Sequence, residues 1–395
     1  MGVSMGVSAL VYPFVLRFSR AHNFVDNPNA RKLQRIPIPV MGGLVVYAGI
    51  IAGGLLLSIF MKSNIMVYGM IGMTIMLVIG MLDDIKDLPA RLRFVIEILL
   101  VWAFMWETGV YLDSLHGLWG VYELPVWAAV LLSTMTGVGL MNAINMIDGV
   151  DGYSSGYGMF ACGLFALAFW SVWSVMMVCM ALMVIGALLP FFLHNVFGVR
   201  SKMFIGDGGT LMLGMILTVF MFFAMSSKTN CASLEERNFC QVAFLWAVLA
   251  LPVCDELRVM SVRVLRGKSP FSADKTHLHH LFIDMGFSHL GAAACILLMN
   301  AMIVLAWWLS WILGASIDVQ MYVSLTLSVL ATFVFSKVMK NQQNGGPLDE
   351  DGYPQGTWLW HLFCRLGAWS HREKGRTWRL LRYIADRPLM IWPPR

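Results

Sequence analysis

The chain has 395 residues, of which 58% are hydrophobic and only 13% charged, and its mean hydropathy is +0.70. That balance excludes a soluble domain with a large core and describes a protein whose main solvent is lipid. The net charge of +5 gives no argument for nucleic acid, because the cations follow a membrane topology.

Eleven apolar runs, at about 20 residues per bilayer crossing, occupy 1–16, 40–61, 65–82, 91–109, 124–141, 156–173, 175–194, 209–225, 239–257, 290–313 and 318–336. They predict an all-α, polytopic membrane protein. The opening has no basic stretch ahead of its apolar run, and the first cation, Arg17, follows it, so no cleavable signal peptide is expected. Of the 28 Lys and Arg residues, all but Lys62, Lys228 and Arg237 fall on the connections after odd-numbered runs, at their edge (Arg91 and Arg93 open the fourth run) or in the C-terminal tail. Positive-inside counting then puts the N-terminus outside and the C-terminus in the cytoplasm.

The chain divides into one membrane domain, 1–340, and a tail, 341–395. A Gly/Pro/acidic hinge over 341–355 opens that tail. Its Trp358, Trp360, Phe363, Trp369 and Trp378 alternate with Arg365, Arg372, Lys374, Arg376, Arg379 and Arg382. Such alternation suits a helix in the headgroup layer, and a partly ordered basic tail is the plain alternative. The seven cysteines have no metal spacing. Cys231 and Cys240 bracket an external loop, where a disulfide and two free thiols both stay open.

The polar chemistry collects on the cytoplasmic connections. Asp83, Asp84 and Asp87 follow the third run directly. If the helix continues, Asp83 and Asp87 share a face, and three such carboxylates repel unless a cation or proton joins them. The bland reading is a solvated helix end stopped by Pro89. Asn142, Asn145, Asp148 and Asp151 recur every three residues, with a Gly after each Asp. Asp-Gly is turn chemistry, so the last turn of the fifth span is expected to unwind beside a polar cavity.

Asp207 sits in a Phe204-Ile205-Gly206-Asp207-Gly208-Gly209 stretch ahead of the eighth run. Glycines there admit phosphate oxygens, and the following helix N-terminus favours anions. Asp207 with pyrophosphate oxygens and water suits Mg²⁺. Phe204 reads equally as a base-stacking ring or a packing residue. His277, His279 and His280 follow a basic stretch and suit phosphate contacts better than zinc, since adjacent His279 and His280 are awkward partners in one tetrahedral site. Among the cations of that connection, Arg258, Arg263, Arg266 and Lys268, Arg263 is the chosen substrate contact. Glu97, within the fourth run, has no assigned role.

These motifs in this order resemble the polyprenyl-phosphate N-acetylhexosamine-1-phosphate transferases, glycosyltransferase family 4. Residues 26–32, 37–43 and 269–277 extend the resemblance to roughly 12–336, with the tail outside it. The chain looks closer to the type that loads GlcNAc-1-phosphate on undecaprenyl phosphate than to the phospho-MurNAc-pentapeptide translocase. Asp87 stands where the translocase has Lys, and Ser269-Pro270-Phe271-Ser272 precedes the histidines.

The resemblance implies a bacterial inner-membrane enzyme with a cytoplasmic active site. It would transfer sugar-1-phosphate from a UDP-N-acetylhexosamine to a polyprenyl phosphate and release UMP. Mg²⁺, with Mn²⁺ as a substitute, would be held by Asp207 with Asp84, and Asp83 would receive or orient the proton of the lipid phosphate. Lys32, Asp87, Asn142, Asn145, Asp148, Asp151, Asn195, Phe204, Arg263, His277, His279 and His280 would contact substrate. A homodimer is one assembly compatible with this reading. The alternatives are translocase-like activity, another UDP-N-acetylhexosamine and, from a different class, an ion-coupled transporter. Polar groups gathered at one face, not spread through mid-membrane, argue against the last.

Overall fold

A computed structural model describes residues 1–26, 37–269, 276–344, 358–371 and 376–391, and it is almost wholly helical. Each of the eleven apolar runs carries a helix: α1 (Gly2–Ala21), α2 (Gly42–Phe60), α3 (Asn64–Lys86), α4 (Ala90–Thr108), α5 (Val126–Met146), α6 (Tyr153–Ser171), α7 (Val175–Phe197), α8 (Gly206–Met225), α9 (Gln241–Leu265), α11 (His289–Ile312) and α12 (Ile317–Val329). The short α10 (Leu278–Asp284) precedes α11, and α12 continues through a π-turn, Leu330–Val334, into α13 (Phe335–Asn344). The tail adds α14 (Trp358–Ser370) and α15 (Arg376–Ile391). Strands β1 (Val25–Asp26) and β2 (Ile38–Pro39) pair antiparallel.

Among the described residues, eight helical stretches are long and apolar enough to cross a membrane: α1, α2, α3, α5, α7, α8, α11 and the continuous Ile317–Lys340. The count of eleven is therefore not reached on length and composition. Arg91, Arg93, Glu97 and Glu107 dilute α4, and Asp255, Glu256, Arg258 and Arg263 dilute α9. The opening of α6, Tyr153-Ser154-Ser155-Gly156, is polar.

Contacts group the chain into two units. The first holds Met1–Asn145, Ser154–Val242 and Gly375–Arg395, and the second Met146–Tyr153 and Ala243–Lys374. Within the first, α8 is buried on every side, from Gly208 through Met225. A helix apolar all round belongs at such a centre. Gly43 of α2 lies against Gly209, Gly80 of α3 against Gly208, and Met141 of α5 against Gly214. Phe165 and Phe169 of α6 meet Phe220. Outward side chains such as Phe14, Phe60 and Trp106 are large and exposed, as lipid contact requires.

The connection beyond α8 contains Cys231 and Cys240, which are buried and not joined in a disulfide. Of the two open alternatives for this pair, the structure has the unbridged one.

Within the second unit, α9 contains Pro252, which has no N–H for the Val248 carbonyl. Asn300 of α11 repairs the break. Its amide donates to the Ala247 and Val248 carbonyls, both at 3.1 Å, and its oxygen accepts the Leu251 N–H at 3.0 Å. In the same unit Phe363 of α14 packs on Phe282 of α10 and Phe335 of α13.

Candidate active site

The end of α3 meets the start of α8 at the Asp motif and the Gly-rich motif. The Asp84 carboxylate accepts the Asp207 N–H at 3.2 Å and faces the Gly208 N–H at 3.5 Å. A carboxylate there compensates the positive end of the helix dipole and two of its orphan donors. The loop is fixed by backbone bonds. Phe204 N–H donates to Pro39 O (2.7 Å), Gly42 N–H to Phe204 O (2.9 Å) and Gly43 N–H to Ile205 O (2.7 Å). Gly206 turns the chain at φ +73, and a Cβ there would lie 2.6 Å from Asp84 Oδ2. Only glycine fits that position.

Asn145 of α5 donates through one amide nitrogen to Asp207 Oδ1 (3.0 Å) and to Thr210 Oγ1 (2.9 Å). Asn142, one turn earlier, donates to Glu97 Oε2 at 2.5 Å and accepts from Arg93 at 3.3 Å. Arg93 also pairs with Asp83 at 2.7 Å, and Asp83 accepts the Leu88 N–H at 2.7 Å. Glu97, fully buried, is thus held by an amide and lies 3.7 Å from Arg93. Asn195 of α7 donates to the Met203 carbonyl at 2.9 Å, and the Lys202 ammonium lies over the half-buried Phe204 ring, 5.9 Å from its centroid.

Two local expectations change. Asp87 does not continue α3: it is the left-handed C-cap at φ 48, so it and Asp83 share no helical face. Pro89 disfavours helical backbone at Leu88, which forces the stop. The end of α5 does not unwind before its asparagines. The helix runs through Asn142 and Asn145 to Met146, and the turn begins at Ile147. Asn145 bonds sideways to α8, while Asn142 bonds sideways to Glu97 and back to the Val138 carbonyl at 3.0 Å, an i−4 contact that the helix accommodates.

The second unit holds the rest of the motif residues. Asp148 is exposed in the turn, and Asp151 pairs with His289 at 3.0 Å. The turn backbone presses on His279, since a Cβ on Gly149 would lie 2.0 Å from its Nε2. His279 is 4% exposed, between the His277 and His280 rings. Burial, reinforced by its histidine neighbours, lowers its pKa to about 3. Arg263 is buried on α9. Lys32 lies outside the described residues.

Sequence reasoning missed Asp255. It is 5% exposed and accepts from Arg258 (2.6 and 3.1 Å), from the His277 ring (3.1 Å) and from the Leu278 N–H (3.1 Å). Its one signal was an Asp three residues before an Arg at the end of an apolar run. Arg93, counted only as a topology cation, was missed in the same way.

Among the described residues, no group of three or more His, Cys, Asp or Glu side chains is placed to hold a metal. Asp84 and Asp207 form a two-carboxylate set. That donor set fits a hard cation which takes one or two carboxylates and completes its shell with substrate oxygens and water.

The model of the family described as Glycosyl transferase family 4 matches residues 66–225. A Bacillus subtilis (strain 168) protein named "Probable undecaprenyl-phosphate N-acetylglucosaminyl 1-phosphate transferase" is 31% identical over 290 residues, covering 73% of this chain and 77% of that protein. The chain belongs to glycosyl transferase family 4. Two further relatives carry the name "Undecaprenyl-phosphate alpha-N-acetylglucosaminyl 1-phosphate transferase". The one from Escherichia coli (strain K12) is 28% identical over 330 residues, 83% of this chain and 86% of that protein. The one from Yersinia pestis is 28% identical over 320 residues, 80% and 84% of the two chains. The glycosyl transferase family 4 match runs from α3 to the end of α8 and takes in Asp84, Asn145 and Asp207. As a member of that family with eight helices, among the described residues, long and apolar enough to cross a membrane, the chain is a multi-pass membrane transferase.

Proposed function

We propose that the chain transfers GlcNAc-1-phosphate from a cytoplasmic UDP-sugar to undecaprenyl phosphate, releasing UMP and starting a lipid-linked envelope glycan. The observation that carries this is the Asp84 carboxylate at the N-terminus of α8, beside Asp207 and Asn145. The names of the relatives support the acceptor and the sugar, and they do not favour an ion-coupled transporter.

In the reaction, an oxygen of the lipid phosphate forms a bond to the β-phosphorus of the UDP-sugar. The bond from that phosphorus to the bridging oxygen breaks, and UMP leaves with the oxygen. Phosphoryl transfer of this kind depends mainly on positioning and charge neutralisation. Asp207 and Asp84 would hold Mg²⁺, or Mn²⁺ in its place, and that ion would neutralise diphosphate charge. The N-terminus of α8 adds its own positive end, and Asn145 fixes the direction of the Asp207 carboxylate. Arg93, tethered by Asp83, Glu97 and Asn142, is a further cation beside this cluster. Asp83 orients the lipid phosphate or its proton, and Phe204 stacks on the uracil. Lys32, Asp87, Asn142, Asn195, Asp148, Asp151, Arg263, His277, His279 and His280 are the remaining candidate substrate contacts.

In this reading α4, α6 and α9 also cross the bilayer, the N-terminus is outside, and the motif-bearing connections face the cytoplasm. The distribution of Lys and Arg supports that orientation. Purified protein supplied with UDP-GlcNAc, Mg²⁺ and polyprenyl phosphate should release UMP and form a sugar-diphospholipid. A panel of UDP-N-acetylhexosamines none of which yields UMP would overturn the proposal.

A further inference from the structure

The geometry points to Asp386, in the tail helix α15, as a positioning residue for the loop that carries Phe204 and Asp207. This inference rests on the transferase reading of that loop. Asp386 is only 8% exposed, and its carboxylate closes the turn after α7. Oδ1 accepts the N–H groups of Val199 (3.2 Å), Arg200 (3.1 Å) and Ser201 (3.0 Å) and the Ser201 hydroxyl (2.9 Å). Three successive backbone donors aimed at one carboxylate make an anion nest, and here the anion is built into the chain.

The same turn is held from other sides. Tyr12 of α1 donates its hydroxyl to the Ser201 carbonyl at 2.7 Å and stacks on His194, with ring centroids 3.9 Å apart. The Arg20 guanidinium donates to the Arg200 carbonyl. Trp378 of α15 meets Phe197 edge-on at 4.9 Å.

From Ser201 the chain has only five residues before Asp207, and Met203 and Ile205 on the way are buried. Asn195, on the last turn of α7, holds the Met203 carbonyl. A shift of the 199–201 turn therefore has no slack to absorb it before Phe204 and Asp207. The last helix of the tail acts as a remote clamp on the nucleotide side of the reaction.

Asp386→Ala and Asp386→Asn in the full chain test this, read by hydrogen–deuterium exchange and by kinetics. The Asn variant keeps an acceptor oxygen at the Oδ1 position. Asp386→Ala should raise exchange in residues 198–206 and increase the KM for UDP-GlcNAc about tenfold, with the KM for polyprenyl phosphate unchanged. Asp386→Asn should restore both measurements to within about threefold of the parent. A merely structural role would lower the active fraction, and so the apparent kcat, without moving either KM. Unchanged exchange at 198–206 in the Ala variant, or unchanged KM values, would overturn the assignment. If the parent protein releases no UMP, the transferase reading fails instead, and the exchange measurement still decides whether Asp386 holds the loop.

Discussion

The Asp84 carboxylate accepts the Asp207 backbone N–H, so the last turn of one apolar helix caps the first turn of another. Two acidic residues 123 positions apart in sequence become a single feature of the fold. Asp84 satisfies helix donors, whereas Asp207 is itself oriented by Asn145.

Asp84→Asn and Asp207→Asn should each reduce UMP release by about 100-fold or more, because charge is removed where phosphoryl transfer needs it. Asn at 84 retains an acceptor for the Asp207 N–H, so the helix junction should persist. An unchanged unfolding midpoint in detergent together with lost turnover is the expected pair of results. Near-normal UMP release from the Asp207 variant would remove the metal assignment.

Asp255→Ala should destabilise the protein by about 3–5 kcal/mol, since it leaves the buried Arg258 charge without this carboxylate and takes the acceptor from the His277 ring and the Leu278 N–H. Thermal unfolding measures the loss. Adding Arg258→Met to that variant should recover part of it, because the stranded charge goes. A single variant as stable as the parent would show that the cluster is not held by Asp255.

His279 makes acid a specific threat to the fold. Its folded pKa, lowered by burial to about 3, lies below its ordinary value of 6.5. Below pH 6.5 the unfolded chain binds a proton that the folded chain refuses. The stabilisation is therefore complete above 6.5 and is lost progressively as pH falls towards 3. A series of unfolding midpoints from pH 7.5 to 4.5 should fall more steeply for the parent than for His279→Gln. Parallel curves would contradict the buried neutral imidazole.

Much of this architecture was legible because apolar runs of span length have few alternatives. All eleven runs became helices, but several helices end five to eight residues from the end of their run: α1 and α5 continue five residues further, and α9 continues eight, to Leu265. What escaped depended on partners distant in sequence. Asn142 and Asn145 look like turn residues until Glu97 and Asp207 engage their amides, and the helix then continues past them. Asp87 was legible as acidic, but its conformation was set by Pro89 through Leu88. Asp255 was hidden inside an apolar run, where only the approach of His277 gives it meaning. The tail carried an interfacial composition of Trp and Arg. Its Asp386 instead turns inward, a role that no local pattern announces.

Gly80 and Gly208 bring the backbones of α3 and α8 so near that a single added methyl carbon on Gly80 would lie 2.4 Å from the Gly208 nitrogen. The two backbones meet directly at Gly80, and the Met81 side chain closes on Gly208 beside them, so the helices have no clearance to roll closer together. That crossing, one turn before Asp84 and one residue beyond Asp207, limits how far the two carboxylates can move apart. Adjustment to an arriving substrate has to come from the loops around this pair, which serves as the rigid anvil of the site.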